Sequence, residues 1–135
     1  MNIAVDTNVL VRYLTWDDAA QAEAAAKTIE AADAVAVSTI VLCELTWVLK
    51  RAYRYRSEQI ADAIQRIIES RNVQVDRPAA EAGLGMLRRG GDFADGVIES
   101  DAMRARCRHI VTFDQHFARL IGPGRGVLLG SEPDN

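Results

Sequence analysis

Short apolar runs alternate with longer helical patterns along this chain, and that alternation most constrains its fold. Strand character is found in residues 3–5, 35–37, 73–75, 109–112 and 126–129. Helical spacing of apolar residues is found in 8–14, 17–31, 39–54, 58–70, 78–89, 92–106 and 113–120. Strands that alternate with helices are typical of parallel sheets. The sequence therefore predicts an α/β fold, with a central, mostly parallel sheet of four to five strands flanked by helices.

The chain length of 135 residues is near the usual size of one domain. We expect a single domain over residues 1–130 and a short C-terminal tail over residues 131–135. No run approaches the ~20 apolar residues that cross a bilayer, and no basic and then apolar targeting segment opens the chain. A cytoplasmic protein with no membrane partner is expected. The two cysteines, Cys43 and Cys107, lie far apart and indicate reduced thiols rather than a disulfide or a zinc site.

The formal net charge of −3 argues against nucleic-acid binding over the whole surface. Charge is nevertheless unevenly placed. Residues 1–45 contain two basic and seven acidic side chains, whereas residues 46–75 contain six basic and three acidic ones. This distribution predicts an acidic centre beside a basic band.

Two carboxylates follow predicted strands. Asp6 comes directly after the first strand, and Asp114 comes two residues after Thr112, where the fourth strand ends. Sites in open α/β sheets form beyond the carboxyl ends of the strands, so the two side chains face one crevice if their strands are neighbours. The ordinary alternative for each is a helix cap or a turn residue.

Glu44 has apolar residues at its helical neighbours: Ile40, Val41, Trp47 and Val48. That pattern predicts a carboxylate on a buried stripe. Burying an unpaired charge costs several kcal/mol, so such a group needs a cation, a metal or a hydrogen-bonding partner. A salt bridge to an arginine is the structural alternative, but none of the four neighbours is basic, which favours a metal-linked role.

A further acidic group opens a later helix. Asp92 and Asp95 are three residues apart, and Asp95 and Glu99 are four apart, so all three line one side of the helix. Like charges in this arrangement repel one another unless a positive charge lies between them. A first turn stabilised by the helix dipole is the alternative, but a bound cation explains the whole set better.

These motifs, in this order, resemble a known family. They are Asp6-Thr7-Asn8 after the first strand, Ser38 followed by Glu44, Asp92-Phe93-Ala94-Asp95 opening a helix, and Thr112-Phe113-Asp114 after a strand. The pattern resembles the PIN-domain ribonucleases, and most closely the VapC-type toxins of bacterial toxin–antitoxin pairs. The resemblance covers residues 2–129 and implies a PIN-like domain. One departure is Gly96, where relatives more often have alanine.

The resemblance implies a four-carboxylate site that binds the metal and performs catalysis. Its members are Asp6, Glu44, Asp95 and Asp114, with Asp92, Thr112 and Asn8 as auxiliary residues. Oxygen-only ligands favour a hard cation, Mg²⁺ or Mn²⁺. The implied activity is that of an endoribonuclease that cleaves single-stranded regions of RNA by metal-activated water.

The resemblance also implies a VapB-type antitoxin as partner, and a homodimer. Phosphates of RNA could be held by basic residues, and bases could stack on aromatic ones. The basic candidates are Lys50, Arg51, Arg54, Arg56, Arg104, Arg106 and Arg108, and the aromatic candidates are Trp16, Tyr53 and Tyr55. Ordinary solvated surface and core or dimer packing are the alternatives. A catalytically inactive PIN-fold interaction module is the rival to a nuclease.

Overall fold

The structure is a computed structural model that describes residues 1–130, so the predicted tail lies outside the described residues. Helices and strands alternate along this part of the chain as the sequence predicts. In chain order they are β1 (Asn2–Ala4), α1 (Thr7–Thr15), α2 (Ala19–Ala31), β2 (Ala34–Ala36), α3 (Thr39–Arg51), α4 (Ser57–Glu69), β3 (Val73–Gln74), α5 (Arg77–Arg88), α6 (Phe93–Arg104), β4 (Ile110–Thr112), α7 (Gln115–Ile121) and β5 (Gly126–Leu128). None of the helices in residues 1–130 combines the length and the apolar character that a membrane span requires.

All strand pairs in the described chain are parallel, and the α/β fold class is confirmed. Ile3 of β1 lies opposite Val35 of β2, which in turn lies opposite Val73 of β3. The strands are divided between a three-stranded sheet, β1-β2-β3, and a two-stranded sheet, β4-β5, so the main sheet has fewer strands than predicted. Because each strand has only two or three residues, helix packing contributes much of what holds the elements together.

The main core lies between the three-stranded sheet and the helices. Its fully buried side chains include Val35 of β2, Leu45 and Leu49 of α3, and Ile64 of α4. A smaller apolar cluster, formed by Met86 with Ile110 and Phe117, attaches the second sheet to the end of α5. These two cores position the helix starts from which the candidate site residues project.

Helices α5 and α6 approach each other closely because glycines lie at their contact. A β-carbon at Gly96 would come within 2.2 Å of the Ala82 carbonyl oxygen, and one at Gly83 would come within 2.6 Å of the Phe93 ring. Both distances are shorter than side chains tolerate. The glycine at position 96, which departs from the family pattern, therefore permits the close approach of these two helices.

We predict that Gly96→Ala lowers the free energy of unfolding by about 1–3 kcal/mol, because overpacking outweighs the ~1 kcal/mol that alanine gains over glycine within a helix. Gly85→Ala is the matched control, since a β-carbon there meets nothing within 4 Å. That variant should be more stable than the parent by about 0.5–1 kcal/mol. Urea unfolding measures both, and a Gly96→Ala variant as stable as the parent contradicts the packing described here.

Candidate active site

Asp6 and Glu44 lie near each other, Asp6 just before α1 and Glu44 on the second turn of α3. Asp6 caps α1, and its Oδ1 accepts a hydrogen bond from the backbone nitrogen of Val9 at 3.1 Å. The next residue, Thr7, donates from its hydroxyl to Oε2 of Glu44 at 3.3 Å. The loop after β1 and the helix after β2 therefore bring these two acidic residues to one region.

The prediction that Glu44 lies on a buried stripe is wrong. Glu44 is exposed, and its helical neighbours Ile40 and Trp47 are 70% and 62% exposed. The buried face of α3 consists instead of Leu42, Leu45, Thr46 and Leu49. Because α3 has apolar residues on nearly every side, the sequence does not reveal which stripe faces the core. No ion pair joins Glu44 to an arginine within residues 1–130.

A second group of acidic side chains surrounds Asp95 on the first turn of α6. Asp95 is half-buried, and its burial raises its pKa above the ordinary value of 3.8. The charges of Asp92 and Asp114 raise the pKa further, whereas His116 opposes them. These effects indicate that the carboxylates at the starts of α6 and α7 are near enough for their charges to interact, and Asp95 is the least exposed of the three.

Backbone geometry fixes the position of Asp114. Its Oδ1 accepts from the backbone nitrogen of Phe117 at 3.0 Å and so caps α7. Its own backbone nitrogen donates to the hydroxyl of Thr112 at 2.9 Å. Thr112, predicted as an auxiliary residue, thus orients the backbone that carries Asp114.

Lys50 connects α3 to the second acidic group. Its Nζ lies 3.7 Å from Oδ1 of Asp92, and both side chains are exposed. Asp92 occupies the N-cap position of α6 but makes no capping hydrogen bond with its side chain. Arg104, another of the predicted phosphate-binding residues, instead forms hydrogen bonds of 2.9 and 2.6 Å with Asp76. Among the predicted basic residues, Lys50 is therefore placed beside the acids, and Arg104 is already paired.

Glu99 does not share the surroundings of Asp92 and Asp95, contrary to the interpretation that one cation serves all three. Its carboxylate lies between Arg89 and Arg125, with each nearest N–O distance 3.6 Å. The side chain is only 18% exposed, and its buried Oε2 has no hydrogen-bond partner among residues 1–130. The two arginines neutralise Glu99 and connect α6 to the end of α5 and to the segment before β5.

The donor chemistry at Asp95 fits a hard, hydrated cation. The acids that converge there offer only oxygen, and their mutual repulsion is what a divalent ion relieves. Within residues 1–130, however, no three His, Cys, Asp or Glu side chains lie close enough to form a ready-made metal site. Mg²⁺ commonly keeps several waters and binds only one or two carboxylates directly. Asp95 with Asp92 or Asp114 is the candidate pair of ligands for such an ion.

His116 was not identified from the sequence. It lies on the first turn of α7, close enough to Asp95 to lower the pKa of that carboxyl, and its Nε2 lies 2.9 Å from the carbonyl oxygen of Gly90. Its position two residues after Asp114 is the sequence feature from which a place near the acidic site could be predicted. Asn8, the third predicted auxiliary residue, is exposed in the first turn of α1 beside Asp6.

The comparison with family models agrees with the α/β fold. The family model described as PIN domain matches residues 3–122. Among solved structures, one that is similar to this chain is VapBC2 from Rickettsia felis bound to a DNA fragment from their promoter. The two chains are 18% identical with a TM-score of 0.39, and the match covers 94% of this chain and 97% of the other. That likeness is too distant to bear on function. No curated protein matches this chain.

We predict that Glu99→Gln lowers the free energy of unfolding by about 1–2 kcal/mol, because Arg89 and Arg125 both lose their ion pair with a carboxylate that is only 18% exposed. Glu81→Gln is the matched control, since Glu81 pairs with Arg77 at 3.6 Å on the exposed surface of α5. Its loss should stay within about 0.5 kcal/mol. Chemical denaturation compares the two variants, and equal losses would mean that Glu99 has no special structural role.

Proposed function

This chain belongs to the PIN domain family, and from that premise we propose that it is a Mg²⁺-dependent endoribonuclease that acts as the toxin of a type II toxin–antitoxin pair. The observation that carries the proposal is that the half-buried Asp95 lies one turn from Asp92 and near enough to Asp114 for the charges of both to raise its pKa. Neither Asp95 nor Asp114 has an ion-pair partner in the part of the chain that the structure describes. Carboxylates placed together without counter-charges are suited to bind a cation.

We propose that the metal is held at Asp95, with Asp6, Glu44 and Asp114 completing the site. Mg²⁺ or Mn²⁺, when bound, would activate a water and stabilise the negative charge that develops on the phosphate during hydrolysis. Asp6 and Asp114 each use one carboxylate oxygen as a helix cap, which holds the side chain in place before substrate binds. Such positioning reduces the reorganisation needed in the transition state.

Basic and hydroxyl groups near the acids have supporting roles in this proposal. Lys50 is placed to attract a phosphate of the RNA backbone, because it lies beside the acids and its 3.7 Å contact with Asp92 is a weak one between exposed side chains. Thr7 holds Glu44 beside Asp6, and Thr112 holds Asp114 at the start of α7. His116 places an imidazole near Asp95, where it partly offsets the repulsion among the carboxylates.

The motif pattern shared with VapC-type toxins supports single-stranded RNA as the substrate and a VapB-type antitoxin as the partner. We propose that a C-terminal segment of the antitoxin presents an arginine to the carboxylates and displaces the metal. A homodimer and a cytoplasmic location belong to the same proposal. Asp6, Glu44, Asp95 and Asp114 are all present, which favours a nuclease over an inactive PIN-fold interaction module.

We predict that Asp6→Asn reduces Mg²⁺-dependent cleavage of single-stranded RNA about 100-fold or more, because each 1.4 kcal/mol of lost transition-state stabilisation is a factor of ten and metal-ion catalysis is worth several kcal/mol. The fold should survive, since asparagine caps helices as well as aspartate does. Cleavage of a labelled oligoribonucleotide with Mg²⁺, and with EDTA instead, measures the loss, and circular dichroism checks the fold.

Asp101→Asn is the matched control for this variant. Asp101 lies on the same helix as Asp95, is exposed, and has no role in the proposed site. Its cleavage rate should equal that of the parent. Unchanged cleavage by Asp6→Asn would remove the proposed mechanism, and absence of any Mg²⁺-dependent cleavage by the parent would favour the interaction module.

A further inference from the structure

A cavity of about 510 Å³ lies between the C-terminal end of α1 and helix α4. Three aromatic side chains line it: Tyr13, Trp16 and Tyr55. None of them belongs to the acidic site. Flat aromatic faces around an open cavity are suited to stack planar ligands.

A polar network fixes the loops that form this cavity. Arg12 bonds to both oxygens of Asp17 through Nη1, at 2.8 and 2.9 Å. The hydroxyl of Tyr53 donates to Asp17 Oδ2 at 2.5 Å, and this bond is the main reason that the pKa of Asp17 lies below its ordinary value. Tyr53 then contacts Tyr55 edge-to-face, with ring centroids 6.4 Å apart. The turn after α1 and the loop after α3 are thus joined around the cavity.

Trp16 adopts an unusual backbone conformation at this place. Its φ is +56°, in the left-handed region that favours glycine, and it ends α1 at the C-cap position. A bulky residue is strained there. Its side chain nevertheless remains 52% exposed at the cavity. Packing alone does not explain a tryptophan at this position.

The polar lining of the cavity carries hydrogen-bond donors. Arg66 is exposed, and no ion pair or hydrogen bond of its guanidinium group is found within residues 1–130. Gln59 is held by its Oε1, which accepts from the backbone nitrogen of Arg56 at 2.9 Å, so its amide NH₂ group can serve a ligand. The acid in the lining, Asp62, is paired with Arg88 at 3.3 Å. The cavity thus combines aromatic faces with an uncompensated positive charge.

We propose that this cavity binds a nucleobase of the RNA substrate, with the base stacked on Trp16 and Tyr55 and the adjoining phosphate held by Arg66. This inference rests on the proposed function and names a second contact that the substrate makes outside the acidic site.

The position of the cavity relative to the acids suits one continuous strand of RNA. Helix α1 begins beside Asp6 and ends at Trp16, and its nine residues span about 14 Å. A few nucleotides of extended RNA cover that distance. Residues 46–75, which include Arg66, contain six basic and three acidic side chains. Positive charge favours RNA over an uncharged proline-rich peptide, which is the other class of ligand that aromatic grooves bind.

The test measures binding to the full chain without cleavage, in the Asp6→Asn background. Trp47→Phe leaves Trp16 as the sole tryptophan, because the chain has two. Octaadenylate should quench the fluorescence of Trp16 in a saturable way. Trp16→Gly, which suits the left-handed backbone, and Tyr55→Leu should each weaken octaadenylate binding about tenfold, measured by anisotropy of the labelled RNA.

Arg66→Gln tests the phosphate contact, with Arg71→Gln as the matched control. Arg71 is also exposed and basic but does not line the cavity. Arg66→Gln should reduce the slope of log affinity against log salt concentration by about 0.7, the value expected for one contact with a single strand, whereas Arg71→Gln should leave the slope unchanged. Equal effects of the two variants, or no quenching of Trp16, would overturn the proposal.

Two further arms identify the ligand. Adenosine monophosphate should bind far more weakly than octaadenylate, and equal affinity would overturn an RNA contact in favour of a free-nucleotide site. A proline-rich peptide that binds more tightly than the RNA would also overturn it. If the chain with Asp6 intact cleaves RNA while octaadenylate leaves Trp16 unquenched, the cavity proposal fails and the nuclease proposal stands.

Discussion

Repulsion among carboxylates around Asp95 is the constraint on which the proposed chemistry of this molecule depends. Asp95 is half-buried, and both its burial and the charges of Asp92 and Asp114 disfavour its ionised form. The fold sustains this arrangement because Asp92 and Asp114 lie at helix N-termini, where the backbone favours negative charge. Two helix N-termini thus place acidic side chains near Asp95, and a divalent cation is the natural counter-charge for them.

Much of the fold could be predicted because its signals are local. Asp6, Ser38 and Asp114 each cap the helix that follows them, and the short apolar runs are parallel strands as expected. The division into two sheets could not be predicted, because strands of two or three residues do not specify their neighbours. The hypothesis that neighbouring strands carry Asp6 and Asp114 to one crevice is therefore wrong in its premise, because β1 and β4 do not pair in the described chain.

The parts of the site that the sequence misjudged depend on long-range contacts. Glu44 was expected to be buried because α3 is apolar on most sides, yet only one of its faces packs against the core. Helical spacing places Glu99 on the same side of α6 as Asp92 and Asp95. In the structure, Glu99 is instead paired with Arg89 and Arg125, which come from other elements. Spacing within a helix predicts which residues share a face. It does not predict which residues of other elements pack against that face.

The central claim is that a divalent ion binds at Asp95 with Asp92 or Asp114 as its neighbour, and a crystal structure of the protein with Mn²⁺ tests it most directly. Anomalous scattering locates manganese independently of any activity. An ion bonded to a carboxylate oxygen of Asp95, with Asp114 or Asp92 as a second direct or water-mediated ligand, is the predicted result. Manganese found only elsewhere, or these three side chains on separate faces of the molecule, would contradict it.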